Sequence, residues 1–233
     1  LDLMQTYQRN HGLSRLITGG PVILPSLLQC DFGNLQSEIQ RLEEVGVQGF
    51  HLDVMDGHFV PNFTYGMPIV AAVRRLTDLP VDVHLMISNP ENYLREFAEA
   101  GADCLTVHAE VAADTGELLE EIRELGIAAG LAINPGTELS TVYRHLDLCD
   151  LLLIMSVDAG FGGQSFNPVA LEKLQSVRIS HPDLILEIDG GINQQTIGRS
   201  VLAGAQLLVV GSAIFQQKDY RQAIGRLVEA MER

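Results

Sequence analysis

The chain repeats one phrase: a polar stretch with apolar residues at helical spacing, a small-residue turn, then a short continuous apolar run closing on a polar residue. It reads in RLEEVGVQGFHLD (41–53), FAEAGADCLTVH (97–108), IRELGIAAGLAIN (122–134) and VLAGAQLLVVGS (201–212). Each phrase carries a glycine (Gly46, Gly101, Gly126, Gly204) where its helix should end and a left-handed residue is wanted. The apolar runs do not alternate, so the strands are expected to be covered on both faces. Helices alternating with such strands predict a parallel α/β sheet. Eight strands are expected, near 22–25, 48–53, 81–86, 103–108, 128–133, 150–155, 184–188 and 207–210. Helical patterns follow each, for example 34–45, 91–99, 116–125, 168–178 and 219–231. Eight units without a linker predict a single (β/α)8 TIM barrel over residues 21–233. Residues 1–20 are read as an N-terminal extension, expected to lay a short helix across the barrel bottom. A doubly wound open sheet fits less well, because no G-x-G-x-x-G turn follows the first strand.

Charge narrows the partners. With 15 basic and 30 acidic side chains the formal net charge is −15, so neither nucleic acid nor an anionic membrane is an expected partner. No apolar run approaches the roughly 18–20 residues that span a bilayer. The N-terminus also lacks the basic-then-apolar layout of a signal peptide. The three cysteines (Cys30, Cys104, Cys149) have no metal-type spacing and read as reduced thiols, so a cytoplasmic protein is expected. A chain this acidic must bind any anion locally, through backbone N–H groups.

In a barrel, chemistry belongs where strands end and the following loops begin. Those ends read Ser26, His51 and Asp53, His84, His108, Asn134, the run Gly160–Phe161–Gly162–Gly163, Asp189–Gly190–Gly191, and Gly211–Ser212. His51 and Asp53 lie two apart on one strand and so share a face, with Leu52 and Val54 directed outward. His84 closes the next strand and Asp189 closes the seventh. Two imidazoles and two carboxylates converging at one mouth predict a site for one divalent metal ion; zinc is the first expectation, and iron, manganese and cobalt suit the same donors. The glycine-rich segments after strands six, seven and eight predict a phosphate cradle, since glycine lets backbone N–H groups approach an anion closely. Met55, Met86 and Met155 occupy strand tips two, three and six, either as ordinary packing or as an apolar collar around a reacting carbon.

The phrases PSLLQCDFGNL (25–35), HLDVMDGHFVPN (51–62), DVHLMISNPE (82–91), GFGGQSF (160–166) and EIDGGIN (187–193) make the chain resemble the ribulose-phosphate 3-epimerases over almost its whole length. The resemblance implies reversible inversion at C3 of a ketopentose 5-phosphate, interconverting D-ribulose 5-phosphate and D-xylulose 5-phosphate. It implies that His51, Asp53, His84 and Asp189 hold the metal and that Asp53 and Asp189 are the acid–base pair. It implies contacts to substrate and its phosphate from Ser26, His84, Gly160, Phe161, Gly162, Gly163, Asp189, Gly190, Gly191, Gly211 and Ser212. The three methionines also match. A homo-oligomer is expected, since apolar helix faces of such barrels commonly pair, and the pathway is left open between pentose phosphate metabolism and carbon fixation. One departure bears on the loops: the family usually has proline before GFGG, where this chain has Ala159, and a looser phosphate loop is the expectation.

The alternatives are distinct. A D-allulose 6-phosphate 3-epimerase would share metal and bases and differ in pocket length. A decarboxylase acting on a 3-keto sugar acid phosphate would want a lysine at the centre, yet none precedes Lys173. A non-catalytic phosphate-binding barrel should lack at least one ligand, and all four are present.

Overall fold

The computed structural model describes Leu16, residues 19–111 and residues 113–232. Eight strands, β1 (Val22–Pro25), β2 (Phe50–Met55), β3 (Val81–Met86), β4 (Cys104–His108), β5 (Ala128–Ile133), β6 (Leu151–Met155), β7 (Ile185–Asp189) and β8 (Leu207–Val210), form one parallel sheet. The ladders run β1-β8-β7-β6-β5-β4-β3-β2, and a single parallel bridge between Ser26 and His51 brings the two ends together. The sheet is thus a nearly closed (β/α)8 barrel. Its helices are α1 (Leu35–Glu43), α2 (Met67–Leu76), α3 (Leu94–Glu99), α4 (Thr115–Glu124), α5 (Val169–Ser180), α6 (Ile197–Leu202), α7 (Ser212–Phe215) and α8 (Tyr220–Met231). The expected extension lies outside the described residues except for Leu16, Gly19 and Gly20.

Local sequence accounts for the boundaries. The four glycines at helix ends, Gly46, Gly101, Gly126 and Gly204, all take positive φ, a conformation that costs a residue with a Cβ. Asp114 caps α4 by accepting from the N–H groups of Gly116 and Glu117, and Asp219 caps α8 by accepting from Gln222 N–H. α4 then buries Leu118, Leu119 and Ile122 against the strands. The connection after β5 departs from the expected α-helix and is two 3-10 turns, Leu139–Thr141 and Tyr143–Leu148. There Leu139, Val142 and His145 recur every third residue, the period of a 3-10 helix, and Val142 and His145 are buried.

Strand parity builds two cores. Leu52, Val54, Val83, Leu85, Leu105 and Val107 point outward under the helices. Val22, Leu24, Cys104, Ala128, Leu151, Ile185 and Leu207 fill the interior near the strands' N-terminal ends, and Leu16 joins that cluster. β5 presents only small residues inward, and a Cβ on Gly130 would stand 2.1 Å from Thr106 Oγ1. Polar side chains occupy the interior above this base, toward the C-terminal ends.

Candidate active site

β2 runs two residues further than its sequence pattern predicts, to Met55. The loop that follows supplies the reason. Thr64 Oγ1 donates to Asp53 O at 2.7 Å and accepts from Met55 N–H at 2.9 Å, while Asp53 N–H donates to Tyr65 Oη at 3.1 Å. His51 is therefore not at the mouth but beneath its floor, fully buried, with Asp53 one pleat above it. His84 is likewise buried beneath the floor, so of the two residues only the aspartate lines the pocket.

Around Asp53 the side chains interlock. Ser26 Oγ donates to Asp53 Oδ2 at 2.6 Å. Asp53 Oδ1 faces His51 Nε2 at 3.3 Å and His84 Nδ1 at 3.2 Å. One ligating atom each of His51, Asp53, His84 and Asp189 lies within 4.8 Å of all the others. The opposite edge of His51 is engaged: its Nδ1 is 2.6 Å from Asp82 Oδ2 and 3.4 Å from Glu187 Oε1. The buried Nε2 of His51 has no hydrogen-bond partner, and in the neutral ring with its proton on Nδ1 it would offer a lone pair. An orphaned imidazole nitrogen beside two carboxylates and a second imidazole is the donor set a divalent metal takes. The residues present fit such an ion.

The electrostatics say the same. Burial alone would raise Asp53, but the adjacent His51 and His84 outweigh it and hold the carboxyl far below the usual carboxylate range. Burial, then the negative charge of Asp53, pushes Asp189 up to about 7. Burial, then Asp82, pushes Glu187 up to about 8. Burial would lower His51, but Asp53 and Asp82 prevail and hold it well above its ordinary value. Burial dominates at His84 and takes it down to about 4. One cluster thus keeps Asp53 ionised, raises Asp189 toward neutrality and places a strong demand for positive charge around His51.

Above the floor the pocket opens among three glycine-rich loops. Its lining takes in Gly160 to Gly163, Gly190, Gly191, Gly211 and Ser212, with Met55, Met86 and Met155 below and Ser26 at one side. All three methionines are nearly fully buried. Every pocket residue expected from the sequence is here, apart from the two histidines beneath the floor. No Lys or Arg lines the pocket among the described residues. Gly190 and Gly191 take φ of 110° and 60°, and Gly160 and Gly163 take 127° and 80°. The loop after β6 is tied in two ways. Gln164 Nε2 donates to Asp158 O at 2.7 Å and Phe161 O at 2.8 Å. Ala159 N–H donates to Asn134 Oδ1 at 3.0 Å. Proline has no N–H and could not make the second bond, so the departure at Ala159 exchanges a ring constraint for a hydrogen bond.

Several residues here escaped the sequence reading. Asp82 and Glu187 sit two residues before His84 and Asp189, on the same strand face, so the parity that pairs His51 with Asp53 could have found them. Gln29, in the turn after β1, reaches the pocket: its Nε2 lies 2.4 Å from where a Cβ on Gly162 would be. No periodic signal marks it.

The comparisons with known proteins agree with this geometry. The chain matches the Ribulose-phosphate 3 epimerase family over residues 22–215. The chain belongs to that family. A ribulose-phosphate 3-epimerase of Bacillus subtilis is 45% identical over 210 residues, covering 88% of this chain and 97% of its own length. One from Synechocystis is 46% identical over 209 residues, covering 87% of this chain and 91% of its own. Among solved structures, a mutant tryptophan synthase α-subunit from Pyrococcus furiosus superposes with a TM-score of 0.70 at 17% identity, covering 92% of this chain and 99% of that one. That likeness is one of fold alone. No helix among the described residues is long and apolar enough to cross a membrane.

Proposed function

We infer that this family member is an isomerase that inverts C3 of a phosphorylated ketopentose, interconverting D-ribulose 5-phosphate and D-xylulose 5-phosphate. The observation that carries the reading is the placement of Asp53 and Asp189 together at the pocket floor, with the one carboxyl held far below the usual carboxylate range and the other raised to about 7. Inverting a carbon beside a carbonyl needs a base on one face and an acid on the other. Asp53, ionised, takes the C3 proton from the face it meets; Asp189, protonated, returns one to the opposite face. In the reverse direction the roles exchange, so the two titrate as a pair that shares one proton. Ser26, donating to Asp53 Oδ2, holds the carboxylate's orientation. The methionines exclude water from the reacting carbon. Backbone N–H groups of 160–163, 190–191 and 211–212 hold the phosphate and so fix C3 between the aspartates.

His51, Asp53, His84 and Asp189 would hold a divalent ion, zinc in our assignment. When bound it supplies a Lewis acid that stabilises the negative charge developing on the substrate's oxygens. Residues 21–233 act as one catalytic domain, and the protein works in the cytoplasm. Exposed Ile179, Leu202 and Val228 on α5, α6 and α8 support assembly of copies into a homo-oligomer.

The test is turnover in D₂O. Each epimerisation should place solvent deuterium on C3 of the product. Asp189→Asn should lose at least ~10²-fold, the usual contribution of general acid–base catalysis. Metal content is measured alongside, so that lost proton transfer is not confused with a lost ligand. Epimerisation by the metal-replete variant within about tenfold of wild type, well short of that contribution, overturns the two-aspartate assignment.

A further inference from the structure

His108 ends β4, fully buried, with its Nε2 2.8 Å from His84 Nε2 and the two rings stacked 4.9 Å apart. Its other nitrogen, Nδ1, is 2.9 Å from Glu110 Oε2. Glu110 is itself pinned: its Oε1 accepts from Asn134 N–H at 2.7 Å and from the Thr137 hydroxyl. Asn134 and Thr137 are in turn fixed by Lys173, whose Nζ donates to their carbonyls. Glu110 therefore presents one oxygen to His108 and cannot turn without losing two bonds.

The proton positions follow from donor and acceptor capacity. A carboxylate only accepts, and a neutral imidazole has one donor and one acceptor nitrogen. Glu110 therefore requires the proton of His108 on Nδ1. His108 Nε2 is then an acceptor, so His84 must carry its proton on Nε2. That leaves a lone pair on His84 Nδ1, which faces Asp53 Oδ1 at 3.2 Å. Two acceptors face each other across that gap, an arrangement that a cation would relieve.

We propose that Glu110, acting through His108, is a positioning residue that fixes the His84 tautomer and so presents Nδ1 to the metal. The proposal rests on the reading of His84 as a ligand and extends the site by two residues, His108 and Glu110, to the protein surface. The same logic makes Glu110→Gln a specific perturbation. To keep the bonds from Asn134 and Thr137, the amide must direct its oxygen to them and its NH₂ to His108. His108 Nδ1 then has to accept, the order of protons along the pair reverses, and the proton arrives on His84 Nδ1, where the ion should bind.

Two measurements test this, neither of which uses turnover. Two-bond ¹⁵N–¹H correlation spectra of the Zn²⁺-loaded wild type should show His84 protonated on Nε2 and His108 on Nδ1. Competition with a chelator should show Glu110→Gln binding Zn²⁺ about 10–100-fold more weakly, the usual cost of losing an outer-shell partner. In the metal-free variant, the His84 signal should move to the Nδ1–H form, a change that a loss of packing would not produce. A His108 proton on Nε2 in the loaded wild type overturns the proposal, and this holds even if the variant does not fold. Zn²⁺ affinity within twofold of wild type in a folded Glu110→Gln also overturns it, while leaving the metal reading intact. A wild type that binds no Zn²⁺ overturns both.

Discussion

Replacing Gly211 and Gly190 separately by alanine divides anion binding from folding. At Gly190 φ is +110°, and a Cβ would stand 2.5 Å from Val157 Cγ2 and 3.0 Å from Val157 N. A side chain in that backbone region costs about 1–3 kcal/mol, and overlap with a packed neighbour adds about 1–3 kcal/mol. Against a total stability on the order of 5–15 kcal/mol, Gly190→Ala should lower the urea midpoint steeply. Gly211 differs. Its φ is −104°, and the nearest atoms to an added Cβ are Gln29 Cδ and Ser26 Cβ, both at 4.0 Å and both in the pocket wall. Folding should be little affected, within about 1 kcal/mol. The new methyl group would nevertheless stand beside the N–H groups that open α7, where the proposed cradle would hold the phosphate. Losing one hydrogen bond to a charged group costs about 1.5–3 kcal/mol, roughly a 10–150-fold rise in KM. Urea melts and a coupled steady-state assay on the two variants are sufficient. If Gly211→Ala melts like wild type and its KM for the phosphorylated ketopentose stays within twofold, the anion is not held at this loop.

Other outcomes follow from the same geometry. Chelation should abolish epimerisation and added Zn²⁺ or Mn²⁺ should restore it; full turnover in protein free of metal by elemental analysis overturns the metal reading. Asp189 and Glu187 are raised to about 7 and about 8, so the folded metal-free chain keeps protons that the unfolded chain has released. Its stability should therefore fall as pH rises from about 4 to 8, and a bound cation should flatten the trend. A urea midpoint that climbs across that window contradicts the assignment. Lys173 donates to three carbonyls, those of Asn134, Pro135 and Thr137. Lys173→Met should cost about 1.5–3 kcal/mol by removing charge-assisted bonds to part-buried carbonyls, and a melt within about 0.5 kcal/mol of wild type, the range of a neutral surface change, denies the clamp. With a net charge of −15, the chain repels its anionic substrate at long range, so kcat/KM should rise modestly with added salt.

Much of this was legible because a barrel strand writes its side chains with a period of two. That parity joined His51 to Asp53 and aimed both inward, and the glycines after β6, β7 and β8 marked the pocket's rim. What stayed hidden depends on distance in sequence. Asp82 and Glu187 sit inside apolar runs, and only the closed barrel shows that both meet His51 Nδ1. His51 lies two residues deeper than its pattern implies, because β2 is completed by Thr64 and Tyr65 from a loop with no strand pattern of its own. Ala159 looked like a loss of rigidity until Asn134, 25 residues earlier, supplied the acceptor for its N–H.

The barrel also has a fracture line. β1 and β2 meet through a single bridge, Ser26 to His51, whereas the other neighbouring strands share longer ladders. The weakest edge of the cylinder is thus where Ser26 reaches Asp53 and where His51 is set beneath the mouth. Local opening along this line would pull the hydroxyl from the carboxylate while the other seven junctions stayed shut. In mild denaturant the protein should therefore fall silent before it loses its helices. Bringing its floor together at a weakly stitched edge makes the working site an early reporter of damage to the fold.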